Sequence, residues 1–107
     1  MAVRVSGKQM EVGEAFSGRI RHRIAAAVSK HVGRGFSARV TLEKTGAGYS
    51  ADCYVSLDTG TSMQAAGKAF EPQAAFDAAA ERIEKQLRRY GRKLKAHEGA
   101  PRGFAFA

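Results

Sequence analysis

The side chains able to do covalent chemistry in this chain are few. It has one cysteine, Cys53, and three histidines, His22, His31 and His97, so the enzyme reading to weigh is a thiolate nucleophile with His22 or His31 as its base. Cys53 stands in ADCYVSL, where Ala51, Cys53, Val55 and Leu57 alternate with Asp52, Tyr54 and Ser56. That phase puts the thiol on the buried side of a strand, where a free cysteine behaves as a small hydrophobe. His31 and His97 fall near the C-termini of helices, where a partly charged imidazole is stabilised without catalytic duty. Asp52 and Asp58 read as strand-surface and turn carboxylates, and the glycines at 46–48 and at 33 and 35 lead into strands, so they are turns and not a phosphate-cradling loop before a helix. A lone cysteine without a CxxC partner offers neither a disulfide nor a zinc site. No catalytic residue, metal or cofactor is expected.

The chemistry the sequence does offer is electrostatic. QLRRYGRKLKAH, residues 86–97, carries Arg88, Arg89, Arg92, Lys93 and Lys95 without one carboxylate, in a chain of 18 Lys and Arg against 10 Asp and Glu. The net charge of +8 and the isoelectric point near 10.2 imply a polyanionic partner, either nucleic acid or an anionic membrane surface. A membrane-surface helix sets its cations against a broad Leu, Phe or Trp face, whereas this segment has only a core-width apolar stripe and the chain has no Trp. Nucleic acid is the better fit.

The elements that must position these cations follow from periodicity. A chain of 107 residues with 44% hydrophobic residues and a mean hydropathy of -0.34 is one globular domain's worth of sequence. The N-terminal ten residues have no apolar core of a secretory signal, and no run approaches the length of a membrane span, so a cytoplasmic location is expected. AVRVSG alternates as a short strand; residues 12–31 then place Phe16, Ile20, Ile24, Ala27 and Val28 at helical spacing, with Glu14 in the first turn. SARVTLEK and YSADCYVSLD alternate as strands across a TGAG turn, and DTGT turns into a further strand, SMQAAGKAF. Pro72 suits the first turn of a final helix, along which Phe76, Ala80, Ile83, Leu87, Tyr90 and Leu94 recur at steps of four and three.

The order β-α-β-β-β-α predicts a two-layer α+β domain. Its four-stranded sheet is mixed, with the first two strands parallel and the last three an antiparallel meander, and both helices lie on one face. The apolar pattern stops after Lys95, so residues 1–97 form the domain, and residues 98–107 read as a flexible tail or the start of a linker.

On that frame Arg82, Lys85, Arg89 and Arg92 repeat at steps of three, four and three down the last helix, and Arg88, Lys93 and Lys95 widen the same side. The first helix adds Arg19, Arg23 and Lys30, with Arg21 and His22 beside them. A solvated helix end accounts for some of these, at about 0.3–1 kcal/mol for each cation near the C-terminus. Glu81 and Glu84, however, have only Lys85 and Arg88 within i+4 reach, which leaves the rest unpaired and favours a functional polyanion site. Tyr90 stands at core spacing and reads as core more readily than as a base-stacking platform.

The run VRVSGKQMEVGEAF, a basic helix, the VTLEK, ADCYVSL and AAG strands, and above all FDAAAERIEKQLRRYGRKLKAH together resemble the N-terminal domain of the ribosome hibernation promoting factor family, also called ribosome-associated inhibitor or ribosomal subunit interface proteins. The resemblance covers residues 1 to about 97. It implies the same β-α-β-β-β-α fold, similar in shape to double-stranded RNA-binding domains. It also implies binding of the small ribosomal subunit and its rRNA in the mRNA channel near the decoding centre, in competition with mRNA and tRNA. Such binding holds ribosomes in a translationally inactive, hibernating state as part of a stress response. By matching position, Arg82, Lys85, Arg89, Arg92 and Lys93, with Arg88 in the same stripe, would contact rRNA phosphates, assisted by Arg19, Arg23 and Lys30. The residue-level alternative is a general binder of double-stranded or structured RNA without preference for ribosomes.

Two departures matter. Gly91 stands where family members often carry a further cation, and a mid-helix glycine costs about 1 kcal/mol relative to alanine, so fraying or a bend is expected there. Long members also continue through a linker to a C-terminal domain that dimerises and joins two ribosomes. The tail GAPRGFAFA looks like the start of such a linker, so ribosome pairing is expected only from a longer chain.

Overall fold

A computed structural model describes residues 2–33 and 35–99, with side chains described over 3–33 and 35–94. Its elements are β1 (Ala2–Lys8), α1 (Glu14–His31), β2 (Phe36–Thr45), β3 (Gly48–Leu57), β4 (Ser62–Ala69) and α2 (Pro72–Gly99). The sheet runs β1-β2-β3-β4. Strands β1 and β2 pair parallel from Ala2 opposite Ser37 to Lys8 opposite Glu43, and β2, β3 and β4 form an antiparallel meander. The expected two-layer α+β order is therefore the one observed.

The alternation of each strand decides which side faces the helices. Ala38, Val40 and Leu42 of β2, Ala51, Cys53, Val55 and Leu57 of β3, and Met63 of β4 are buried, and they meet Ile20, Ile24 and Val28 of α1 and Phe76, Ile83 and Leu87 of α2. Each such Ile or Leu, fully withdrawn from water, contributes about 1.5–3 kcal/mol. The opposite phase, including Arg4, Arg39, Asp52 and Gln64, stays exposed. Helix α2 lies close on β4 because its first turns are alanine-rich: Ala75 and Ala79 are fully buried, and a side chain on Gly67 would collide with the backbone of both.

The two helices run side by side in the same sense. Phe16 meets Phe76 edge-on, with ring centroids 6.4 Å apart, Arg23 meets Glu84, and the backbone of His31 lies against Gly91, so the contacts advance together along both helices. The last of these corrects the expectation of fraying. Helix α2 passes through Gly91 without a break, and Gly91 is buried because any Cβ there would strike the carbonyl of His31. The helix also continues to Gly99, past the end of its apolar pattern at Lys95, through Ala96 and Glu98, which are good helix formers. The rest of the expected tail, from residue 100, and the side chains of Lys95 and His97 lie outside the described residues.

Candidate nucleic-acid interface

Helix α2 carries its cations on the side away from the sheet. At about 100° per residue, Arg82, Lys85, Arg88, Arg89, Arg92 and Lys93 spread over an arc of roughly 140°, and the segment from Arg82 to Lys93 is about 17 Å long. All six are exposed. Lys85 and Arg88, with Arg82, Glu81 and Glu84, line an open groove of about 430 Å³. At one margin of the arc Arg82 turns back and donates to the carbonyl of Ala66 on β4. One turn later Gln86 Nε2 donates to the carbonyl of Gln64 at 2.9 Å. Two carbonyls of β4 are thereby satisfied by α2 side chains, and Arg82 is held in place as much as it is offered to solvent.

The first helix contributes from its α2-facing flank. Arg19 is exposed, with Cζ 5.8 Å from the centroid of the Phe16 ring, and Lys30 is exposed in the last turn. Arg23 differs from the expectation of an unpaired cation: its Nη2 lies 2.7 Å from Oε1 of Glu84. The other carboxylate oxygen of Glu84 lies 2.8 Å from Nε2 of His31, whose ring N–H is the donor. Glu84 thus reaches across to α1 and not along its own helix; no Glu81–Lys85 or Glu84–Arg88 ion pair forms among the described residues. The hydrogen bond from His31 is the largest influence on Glu84 and holds its carboxyl below the ordinary value, aided by Arg23 and opposed by burial. Arg21 also departs from expectation, because it lies on the far flank of α1 with Nε 3.4 Å from the carbonyl of Val3 on β1. Arg19, Arg23 and Lys30 therefore share the flank of α1 that adjoins the α2 arc, and Arg21 lies outside it.

Cys53 is fully buried, and its thiol is pushed up to about 12, chiefly by burial, with the charge of Asp52 adding to the effect and that of Arg23 opposing it. A thiol so hard to ionise is a poor nucleophile, in keeping with its place in the core. Tyr90 is half-buried, and its hydroxyl is tied to Thr59 Oγ1 at 2.7 Å and Thr61 Oγ1 at 3.3 Å, so it fastens the β3–β4 turn to α2. The described residues contain no cluster of His, Cys, Asp or Glu suited to a metal ion. No described helix is long and apolar enough to cross a membrane.

Residues 3–95 match the family described as Sigma 54 modulation protein / S30EA ribosomal protein. The chain belongs to this family. A protein of Rhizobium meliloti (strain 1021) named ribosome hibernation promotion factor is 60% identical over 97 residues, which are 91% of this chain and 51% of the relative. One of the same name from Bradyrhizobium diazoefficiens is 39% identical over 95 residues, 89% of this chain and 47% of the relative. The chain spans about half the length of these curated relatives. In fold it is similar to the Protein Y N-terminal domain of Thermus thermophilus, with a TM-score of 0.76 at 23% identity, covering 84% of this chain and 99% of that one. It is also similar to a ribosomal subunit interface protein of Coxiella burnetii, with a TM-score of 0.67 at 15% identity, covering 84% and 97%. The family is one of ribosome hibernation factors, not of enzymes.

Proposed function

We propose that this domain binds the small ribosomal subunit in the mRNA and tRNA channel near the decoding centre and, by occupying it, holds cytoplasmic ribosomes in an inactive, hibernating state. The observation that carries this is the cationic arc of α2 extended by Arg19, Arg23 and Lys30 of α1, in a family whose curated relatives are named ribosome hibernation promotion factors. The chemistry suits rRNA better than a base-specific target. Guanidinium and ammonium groups spaced along two rigid helices recognise the shape of a phosphate backbone and carry no base code. Arg82, Lys85, Arg88, Arg89, Arg92 and Lys93 would take the phosphates, with the α1 cations on a second strand or turn of the backbone. On this reading residues 1–97 carry the role.

The test is co-sedimentation of the chain with purified small subunits, large subunits and an unrelated RNA duplex at near-physiological salt. Stoichiometric binding to small subunits alone, displaced by mRNA and tRNA, is the expected result. Equal binding to all three would reduce the domain to a general RNA binder.

A further inference from the structure

The sheet face opposite the helices carries a charge arrangement that the helix interface does not use. In the parallel register Arg4 of β1 stands directly beside Arg39 of β2, and both are exposed. Like charges directly opposite one another in a sheet destabilise it, and no carboxylate among the described residues relieves this pair. Among the described residues neither arginine has an ion-pair partner, and the neighbouring acid, Asp52, is engaged by Gln64 Nε2 at 3.1 and 3.2 Å. The next residue across the same row is aromatic: Tyr54 of β3 pairs with Arg39, whose Cζ lies 5.3 Å from the centroid of the Tyr54 ring. Small side chains surround the three. Ser37 and Ser56, with the backbone at Ala38, leave a depression of about 360 Å³ walled by Arg4, Arg39 and Tyr54.

We infer that this depression is a second nucleic-acid contact, in which a phosphodiester of a single strand sits between the Arg4 and Arg39 guanidiniums and the adjoining base stacks on Tyr54. The two guanidiniums supply the charge-assisted donors a phosphate needs, and an anion between them removes their mutual repulsion. The hydroxyls of Ser37 and Ser56 add donors at its rim, and the ring beside the cations separates a nucleotide site from a simple anion site, because any base can stack on it. The domain then presents RNA-binding chemistry on both of its layers. These residues are separate from the helix arc, so the inference and the proposed function can fail independently.

The experiment is an amide-resolved NMR titration with a hexauridylate RNA, and in parallel with inorganic phosphate, on the native chain, on K85E/R89E, on R4S/R39S and on Y54L. In the native chain the hexauridylate should shift the amides of Arg4, Ser37, Arg39, Tyr54 and Ser56, and these shifts should persist in K85E/R89E. R4S/R39S should weaken them at least tenfold while raising the thermal midpoint, since the repulsion is gone. Y54L should weaken them about fivefold or more, the low end of what one stacked base is worth. Hexauridylate shifts confined to α1 and α2, or undiminished in R4S/R39S, would overturn the inference while leaving the helix interface standing. Equal shifts from inorganic phosphate with no effect of Y54L would overturn the nucleotide assignment. Failure of both RNA readings would show as no shift on either face.

Discussion

Replacing Gly91 by alanine is predicted to destabilise the domain, against the intrinsic preference of a helix. In an open helix the change is worth about 1 kcal/mol in alanine's favour. At Gly91 the new methyl would fall on the carbonyl oxygen of His31 and crowd its carbonyl carbon. Both belong to the backbone of α1, and no side-chain rotation clears them. Overpacking of this kind costs about 1–3 kcal/mol, and a rigid obstacle puts the cost in the upper part of that range, so the net loss is about 1–2 kcal/mol after the propensity gain. For a domain near 100 residues that corresponds to a fall in Tm of roughly 5–15 °C.

Gly18 supplies the control. It lies in α1, and a Cβ built on it meets nothing within 4 Å, so Gly18→Ala should gain about 0.5–1 kcal/mol. Urea denaturation of the two variants beside the native chain, compared at a common m value, measures both. The same chemical change should move the midpoint in opposite directions at the two sites. If Gly91→Ala proves as stable as the native chain, the close contact of α1 and α2 at His31 is wrong, and with it the argument for why a glycine interrupts the basic stripe.

Lys85→Glu and Arg89→Glu should each weaken RNA binding while leaving the circular dichroism spectrum native, because both side chains point away from the core; loss of the folded signal would make that face structural. If the native chain neutralises about five phosphates, its affinity should fall roughly a hundredfold or more between 50 and 200 mM salt, and a flat salt response would remove the electrostatic mechanism. Glu84 carries a pH signature: its folded-state pKa lies below the ordinary 4.5, so its contribution to stability is present above that value and is lost as pH falls through the folded-state pKa. Glu84→Gln should therefore be less stable than the native chain at pH 7, with the gap closing in acid, and a gap that ignores pH would mean the carboxylate's charge is not what counts. Cys53, buried and pushed up to about 12, should react with iodoacetamide at pH 8 only as fast as the domain unfolds; rapid labelling of the native chain would contradict its place in the core.

The fold was legible because each element announces itself by period. The alternation through Ala51, Cys53, Val55 and Leu57 and the four-three spacing of Ile83, Leu87, Tyr90 and Leu94 allow one buried phase apiece, and a helix between the first two strands makes their pairing parallel. The exposure of the α2 cations follows from the same phase. What the one-dimensional pattern does not carry is which side chains meet across elements. Reach along one helix suggested Glu84 would pair with Arg88, but the parallel lie of α1 brings Arg23 to 2.7 Å. Arg21 and Arg23 are neighbours in sequence and fall on opposite flanks of α1. Gly91 reads as a flaw in a helix until the backbone of His31 is set against it. The row of Arg4, Arg39 and Tyr54 has no signature within any single strand; it exists only once the register of three strands is known.

These cross-element contacts bear on the proposed recognition of a folded RNA. Cations on one helix can track one strand of backbone, whereas reading the shape of a structured RNA needs cations on two elements held at fixed separation. Helix α1 is fastened to α2 at three levels, through the ring contact of Phe16 with Phe76, the reach of Glu84 to Arg23 and His31, and the close approach at Gly91. An acidic residue and a glycine inside a basic stripe look, from charge counting, like losses of binding power. In the folded domain they set the spacing between Arg19, Arg23 and Lys30 on one side and Lys85, Arg89 and Arg92 on the other. Their removal should therefore impair binding to a folded RNA more than binding to a flexible single strand, a contrast that simple loss or gain of charge does not produce.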